Sequence, residues 1–300
     1  MRLTRHASAA LLLADARPAL AADVAAEARH SLLIGAALAR AREEADSAGS
    51  AESGAAAETY YATVRTAAGE VVLVAYRAAP YPLVLAAPGP RDGVTAALDL
   101  LLRDFDAAGH RPGALTAPTA LADAFVARWS LGPGRGARLA MRQRVHALDA
   151  VRDVPAPPGG MRRAEAADLP LVEAWMNAFN IETIGDADDV HIRVAAGRRV
   201  AAGEVWLWDD ADGRTRAIAA AARPTGRTVT VNGVYTPPDA RGGGRATALV
   251  AALSRRLLAD GFDACVLYTD LANPTSNAIY ARIGYRPVED CLLYRLDRLD

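Results

Sequence analysis

Apolar positions along the C-terminal half alternate between two periods. Ala246, Leu249, Val250, Leu253 and Leu257 recur at the helical period, with Arg255 and Arg256 opposite, which predicts an amphipathic helix stopped by Asp260 and Gly261. A second helix is expected over Ala167–Phe179, with Leu169, Val172, Trp175 and Met176 on one face and Asp168 near its start. Strands are expected at Glu204–Trp208, Arg216–Ala222 and Thr228–Tyr235, the first two joined by the turn Asp209–Gly213. Ala264–Tyr268 suits a strand buried on both faces, Met161–Ala164 an opening strand, and Leu292–Leu296 a strand closing the same sheet. Between the last two, Asn273 as N-cap, Pro274 at the first helical position and Gly284 past the end predict a helix over Asn273–Ile283.

The N-terminal half repeats this order in weaker form. A helical pattern through Leu32, Leu33, Ala36, Ala37 and Ala41 precedes strands near Tyr60–Arg65, Val71–Ala78 and Leu83–Ala87. Helices near Val94–Phe105 and Leu121–Trp129 and a strand at Leu139–Leu148 follow. Ser47–Ala57 reads as a flexible loop. Residues 151–160, VRDVPAPPGG, break the pattern with three prolines and two glycines, so domains are expected at 1–150 and 161–300 with a linker at 151–160.

Composition narrows the function classes. A net charge of -1 argues against a nucleic-acid footprint. No lysine occurs, which removes Schiff-base chemistry and the lysine of nucleotide-triphosphatase phosphate loops. Cys265 and Cys291 lack metal-ligand spacing and read as reduced core residues, and the five histidines are scattered, so no metal is expected. The apolar run near the N-terminus is cut by Asp15 and Arg17 and reads as helix rather than as a secretory signal. No segment is long enough to span a bilayer, and a cytoplasmic protein is expected.

The chemistry concentrates in VNGVYTPPDARGGGRATALV, residues 231–250. A strand leads through two prolines into Arg241, Gly242, Gly243, Gly244 and Arg245 and then a helix. Helix N-termini leave backbone N–H groups unpaired and attract phosphate. Glycines admit it closely, and arginines add charged donors, so a pyrophosphate site is predicted. Asn273, Asn277 and Tyr280 fall at i, i+4 and i+7 on one helix face. Spacing alone leaves open a ligand-facing stripe or a solvated face with a half-buried tyrosine. In the first half the matching stretch is APGPRDGVTA, where Asp92 would repel a pyrophosphate. That half is expected to bind no cofactor.

These segments resemble the GCN5-related N-acetyltransferases. Arg241, Gly244 and Ala246 fit the R/Q-x-x-G-x-G/A pattern of that family, VYTPP resembles the end of its fourth strand, and LYTDLANPTSNAIYARIGY its fifth strand and fourth helix. Gly243 and Arg245 depart from the usual residue types. The resemblance is strong from about Met161 to Leu296 and weak before it, where a degenerate copy of the domain is expected. It implies an α/β fold of two tandem acyl-CoA N-acyltransferase domains, each a mixed, centrally splayed sheet flanked by helices. It also implies acetyl-CoA as co-substrate. Asn232 and Gly233 suit the bulge that opens the sheet. Backbone groups of Val234, Tyr235 and Thr236 would hold the pantetheine arm and the thioester carbonyl. The turn from Arg241 through Gly242, Gly243, Gly244, Arg245 and Ala246 to Thr247 would hold the pyrophosphate, and Asn273 the cysteamine end. Tyr280 would be the general acid for the thiolate. For the base, Glu182, Glu204, Asp270 or a water remain open.

The implied activity is transfer of an acetyl group to a primary amine, of a small molecule before a protein N-terminus or lysine, by direct attack in a ternary complex. Specificity is expected from Ala167–Ile184 and from a loop around Ile184–Val200. An exposed sheet edge would suit a homodimer; neither nucleic acid nor membrane is an expected partner. A non-catalytic acyl-CoA-binding or regulatory module is the competing class. A dinucleotide oxidoreductase fares worse, because the G-x-G-x-x-G order is absent.

Overall fold

Alternation along one strand shows how the second half is built: Val205 and Leu207 enter one core, and Trp206 and Trp208 enter another across the sheet. The computed structural model describes residues 1–47, 59–89, 91–184 and 189–298; the loop expected over Ser47–Ala57 lies almost wholly outside them. Two units emerge. One holds Met1–Val145, Thr269–Asn273 and Pro287–Asp300, the other His146–Tyr268 and Pro274–Arg286.

In the first unit, strand β1 (Arg2–Arg5) leads to helices α1 (Ala9–Leu20), α2 (Val24–Arg29) and α3 (Ser31–Ser47). The apolar run weighed as a signal is α1, whose Leu12, Leu13, Ala16 and Leu20 are buried. Strands β2 (Thr59–Arg65), β3 (Val71–Ala78) and β4 (Leu83–Ala86), helix α4 (Val94–Ala108), strand β5 (Ala114–Pro118), helix α5 (Thr119–Trp129) and strand β6 (Arg135–Leu148) follow. Strands β1 to β4 pair antiparallel in succession, and β4 runs parallel to β5.

In the second unit, β7 (Gly159–Arg163) precedes α6 (Leu169–Ile184) and α7 (Asp189–Ala201). Then come β8 (Val205–Asp210), β9 (Thr215–Ala222), β10 (Thr228–Tyr235), α8 (Arg245–Ala259), β11 (Ala264–Asp270) and α9 (Pro274–Ile283). Strands β7 to β10 are antiparallel in succession, and β10 is parallel to β11. Helix α8 buries Leu249, Val250, Leu253 and Leu257 with Val229, Val231 and Tyr280 in the core on its side. Helices α6 and α7 cover Val172, Ala196, Val205, Leu207, Ile218 and Tyr235 on the other. Arg162 ties β7 to both neighbours, bonding Asp168 at 2.6 Å and Asp209 at 2.6 Å.

Three expectations are corrected. The segment after residue 188, read as loop, is α7; Ile192 and Ala196, four apart, are buried along it, a stripe diluted by Arg193, Arg198 and Arg199. The last strand, β12 (Arg286–Arg298), does not close the second sheet. It pairs antiparallel with β5, Leu292 opposite Ala117 and Arg295 opposite Ala114, because Leu292 and Leu296 fit the first core with Phe125 and Trp129. Gly159 and Gly160, assigned to the linker, pair with Asp210 and Asp209 as the start of β7.

Candidate functional site

The site begins where β10 loses its neighbour. Its ladder with β11 is Thr228–Ala264, Val229–Cys265 and Thr230–Val266, yet β10 runs on to Tyr235. Against β9 its register slips between Asn232 and Tyr235. Gly233, at φ 58°, supplies the left-handed residue that the bulge requires. The expected bulge at Asn232 and Gly233 is therefore present, and the backbone of Val234, Tyr235 and Thr236 follows it.

A 3-10 turn at Pro238–Ala240 then carries the chain into the glycines. Gly242 and Gly244 have φ of 83° and 75°, and a Cβ on either would meet nothing within 4 Å, so open space lies before the turn. Gly244 caps α8 without a side-chain hydrogen bond. The helical ladder starts with the Ala248 N–H donating to the Gly244 carbonyl at 2.9 Å. The N–H groups of Arg245, Ala246 and Thr247 lie ahead of it and form the positive end of the helix dipole.

The two arginines of the turn have carboxylate partners. Arg241 donates to both Glu182 oxygens at 2.8 Å and, through Nε, to the Thr236 carbonyl at 2.9 Å. Arg245 folds back onto Asp210 at 2.8 Å and onto the Ala240 carbonyl at 3.1 Å. A Cβ on Gly243 would strike that folded guanidinium, so the two departures from the family pattern belong together. The Arg245 hydrogen bond, helped by Arg216, holds the Asp210 carboxyl below its ordinary range. With both guanidinium groups paired, the backbone amides are the free donors at this turn in the ligand-free protein.

Tyr280 is buried on α9, its ring edge-on to Tyr285 at 5.9 Å and 71°. The Gly284 and Tyr285 N–H groups donate to its carbonyl, ending the helix where Gly284 turns at φ 115°. Burial alone pushes the phenol up to about 12. The polar stripe is therefore graded: Asn273 is exposed, Asn277 half-buried and Tyr280 buried. Asn273 falls in Thr269–Asn273, which groups with the first unit.

The candidate bases part company. Asp270 accepts the Ala272 N–H at 2.8 Å and shapes the turn before α9. Glu204 pairs with Arg199 at 3.8 Å, and Arg199 donates to the Asn232 side chain at the bulge at 3.2 Å. Glu182, at the end of α6, accepts the Tyr235 hydroxyl at 3.4 Å besides Arg241. Asp210 and Arg199 carry no signal in the sequence, because their roles depend on strand register and on helix α7.

In the first unit the two glycines of the corresponding stretch are closely packed. A Cβ on Gly89 would collide with the Val71 carbonyl, and one on Gly93 with the Met1 side chain and, at 3.3 Å, with Val72. Cys265 and Cys291 are buried and free, and burial raises each thiol to about 12. Among the described residues no cluster of His, Cys, Asp or Glu could hold a metal ion, and no helix is long and apolar enough to cross a membrane.

A parallel pair that splays after a bulge, leading into a glycine turn at a helix N-terminus, defines an acyl-CoA N-acyltransferase fold. The family model described as "FR47-like protein" matches residues 212–293. Over the whole chain the structure is similar to the GCN5-related N-acetyltransferase from Sphaerobacter thermophilus, at 16% identity and a TM-score of 0.62, covering 99% of this chain and 96% of that one. The GNAT-family acetyltransferase from Colwellia psychrerythraea is similar at 11% identity and a TM-score of 0.56, covering 100% of both chains. A tandem GNAT protein from the clavulanic acid biosynthesis pathway is similar at 16% identity and a TM-score of 0.54, covering 99% of this chain and 98% of that one. No curated protein matches. The chain has the fold of the GCN5-related N-acetyltransferases, over its full length that of the tandem form.

Proposed function

We propose that the chain is an acetyl-CoA-dependent N-acetyltransferase whose second unit, 146–286 apart from 269–273, does the chemistry on a small-molecule primary amine. The observation that carries this reading is the opening of β10 from β11 after Thr230, aimed into a glycine turn with free space before it. Acetyl-CoA would supply an activated acyl group and a thiolate leaving group. The N–H groups of Gly242, Gly243, Gly244, Arg245, Ala246 and Thr247 suit its pyrophosphate. The backbone of Val234, Tyr235 and Thr236, freed from a ladder with β11, suits the amide arm and the thioester oxygen, where a hydrogen bond stabilises developing charge. Asn273 is kept as the cysteamine contact on the resemblance alone.

Tyr280 is the proton donor to the departing sulfur. A phenol at about 12 is poorly matched to a thiol in water, whose pKa is about 8.5. Burial alters both. It raises a thiol as it raises a phenol, so a thiolate forming in surroundings as dry as those of Tyr280 would be basic enough to take its proton. Glu182, Glu204 or a water takes the amine proton; the hydrogen bonds of Asp270 weigh against it.

The close packing at Gly89 and at Gly93 supports a first unit that takes no cofactor. The test is thiol release from acetyl-CoA across a panel of primary amines, with melting followed in acetyl-CoA and in NAD(P). A shift with acetyl-CoA but no thiol from any amine would favour the non-catalytic acyl-CoA-binding reading, and a shift with NAD(P) alone would overturn both.

A further inference from the structure

The groups around Arg241 describe a second ligand. Trp175, Phe179 and Glu182 fall at i, i+4 and i+7, one face of α6. Trp175 and Phe179 pack against the core that holds Tyr235, and the rings of Trp175 and Tyr235 lie 6.2 Å apart at 57°. Where this aromatic wall ends, the Glu182 carboxylate, the Tyr235 ring and the Thr236 carbonyl converge on one cation. That cation is the protein's own: the Arg241 guanidinium lies 5.7 Å from the Tyr235 ring centre while bonded to Glu182 and Thr236. The Thr236 hydroxyl oxygen is buried with no hydrogen-bond partner, an unused polar group in the residue whose carbonyl already accepts Arg241. Carboxylate, aromatic face and carbonyl together recognise a cation.

We infer that this corner is the acceptor's ammonium site, that Arg241 fills it in the free protein, and that it selects amines on an apolar, preferably aromatic, arm with no carboxylate beside the nitrogen. The inference rests on the proposed transferase reading and deepens it. A pyrophosphate at the glycine turn draws Arg241 off Glu182, which vacates the corner for the substrate cation. Among the described residues Arg241 is the one cation hydrogen-bonded to Glu182. Once it turns to phosphate, an α-carboxylate on the substrate would face Glu182 unpaired. The wall above the corner is aromatic, and Ile181 beside Glu182 is half-exposed, so an apolar arm finds contact there that a polyhydroxylated one does not.

Calorimetry with phenethylamine and phenylalanine, on the full chain saturated with coenzyme A, tests this. Glu182 is half-exposed at a helix end, so Glu182→Gln keeps the fold. Phenethylamine should bind the wild type at least about ten-fold more tightly than phenylalanine and lose about ten-fold or more in Glu182→Gln, the scale of one charged hydrogen bond. Coenzyme A alone should bind Glu182→Gln about two- to five-fold more tightly, because Arg241 has lost an exposed ion-pair partner. No binding of phenethylamine, equal affinity in the two proteins, or preference for phenylalanine would overturn the inference. Thiol release is read in parallel: the expected binding pattern without turnover overturns the transferase reading alone, and turnover with an unchanged KM in Glu182→Gln overturns the ammonium site alone.

Discussion

Replacing Tyr280 by Phe separates chemistry from packing. The phenol is buried, its hydroxyl has no hydrogen-bond partner among the described residues, and burial is the sole cause of its raised pKa. Phe keeps the edge-on contact with Tyr285, a pair worth about 0.5–1.5 kcal/mol. It deletes a hydroxyl whose unpaired burial costs about 1–3 kcal/mol. Stability should therefore stay level or rise by about 1 kcal/mol, since partial contact with water relieves some of that cost. Loss of a general acid should lower kcat by about 10²–10⁴, with acetyl-CoA affinity within about two-fold because the backbone groups proposed for the pyrophosphate and the amide arm are untouched. The assay is thiol release beside chemical denaturation of both proteins. A phenol at about 12 keeps its proton at every working pH. The wild-type rate should then climb as the amine deprotonates and show no descending limb from Tyr280 below about pH 10. Unchanged kcat would remove Tyr280 from the mechanism. A descending limb near pH 9 that Phe abolishes would refute the argument from burial.

Gly244→Ala should destabilise by about 1–2 kcal/mol, because φ 75° disfavours a Cβ although space is free; calorimetry should also show weaker acetyl-CoA binding, and unchanged binding would sink the turn assignment. Gly89→Ala should lower the melting temperature, through the Val71 carbonyl, while leaving acetyl-CoA affinity alone; a weakened affinity would mean that the first unit binds. Leu249→Ala, fully buried in α8, should cost about 2–5 kcal/mol in denaturant titration. Tyr61 and Tyr280 are both raised to about 12 by burial, above the unfolded value near 10. Their contribution is full below pH 10 and disappears as pH climbs to about 12; a denaturation midpoint flat from pH 9 to 11.5 would contradict it.

The elements legible in the sequence were those with one clean period. The pattern places helix α8 and strands β8 to β10 within a few residues, and Asn232 and Gly233 point to the bulge because a glycine inside a β-branched run has few other uses. Helix α7 was hidden because arginines and alanines dilute its buried stripe. Strand β5, ALTAP, was too short to declare itself and became evident only as the partner of β12. At the site, the turn was readable from local sequence, whereas the partners of its arginines were not. Asp210 and Glu182 reach Arg245 and Arg241 across 35 and 59 residues, and nothing local encodes that pairing. On α6 the sequence points to the face of Leu169, Val172, Trp175 and Met176, and not to Trp175, Phe179 and Glu182, whose meaning requires knowing that Tyr235 stands opposite.

Strand β12 carries a consequence for biosynthesis. In the first sheet it lies between β5 and β6, so an interior position there is filled by residues that are translated only after the whole of the second unit. Until they emerge, the nascent first unit has bare strand edges on β5 and β6 and lacks Leu292 and Leu296 from its core. A fragment ending at Val145 should behave as an aggregation-prone intermediate, and supplying the β12 sequence in trans as a peptide should rescue its solubility. The order of synthesis and the order of completion are therefore reversed: the half that is translated first is finished last.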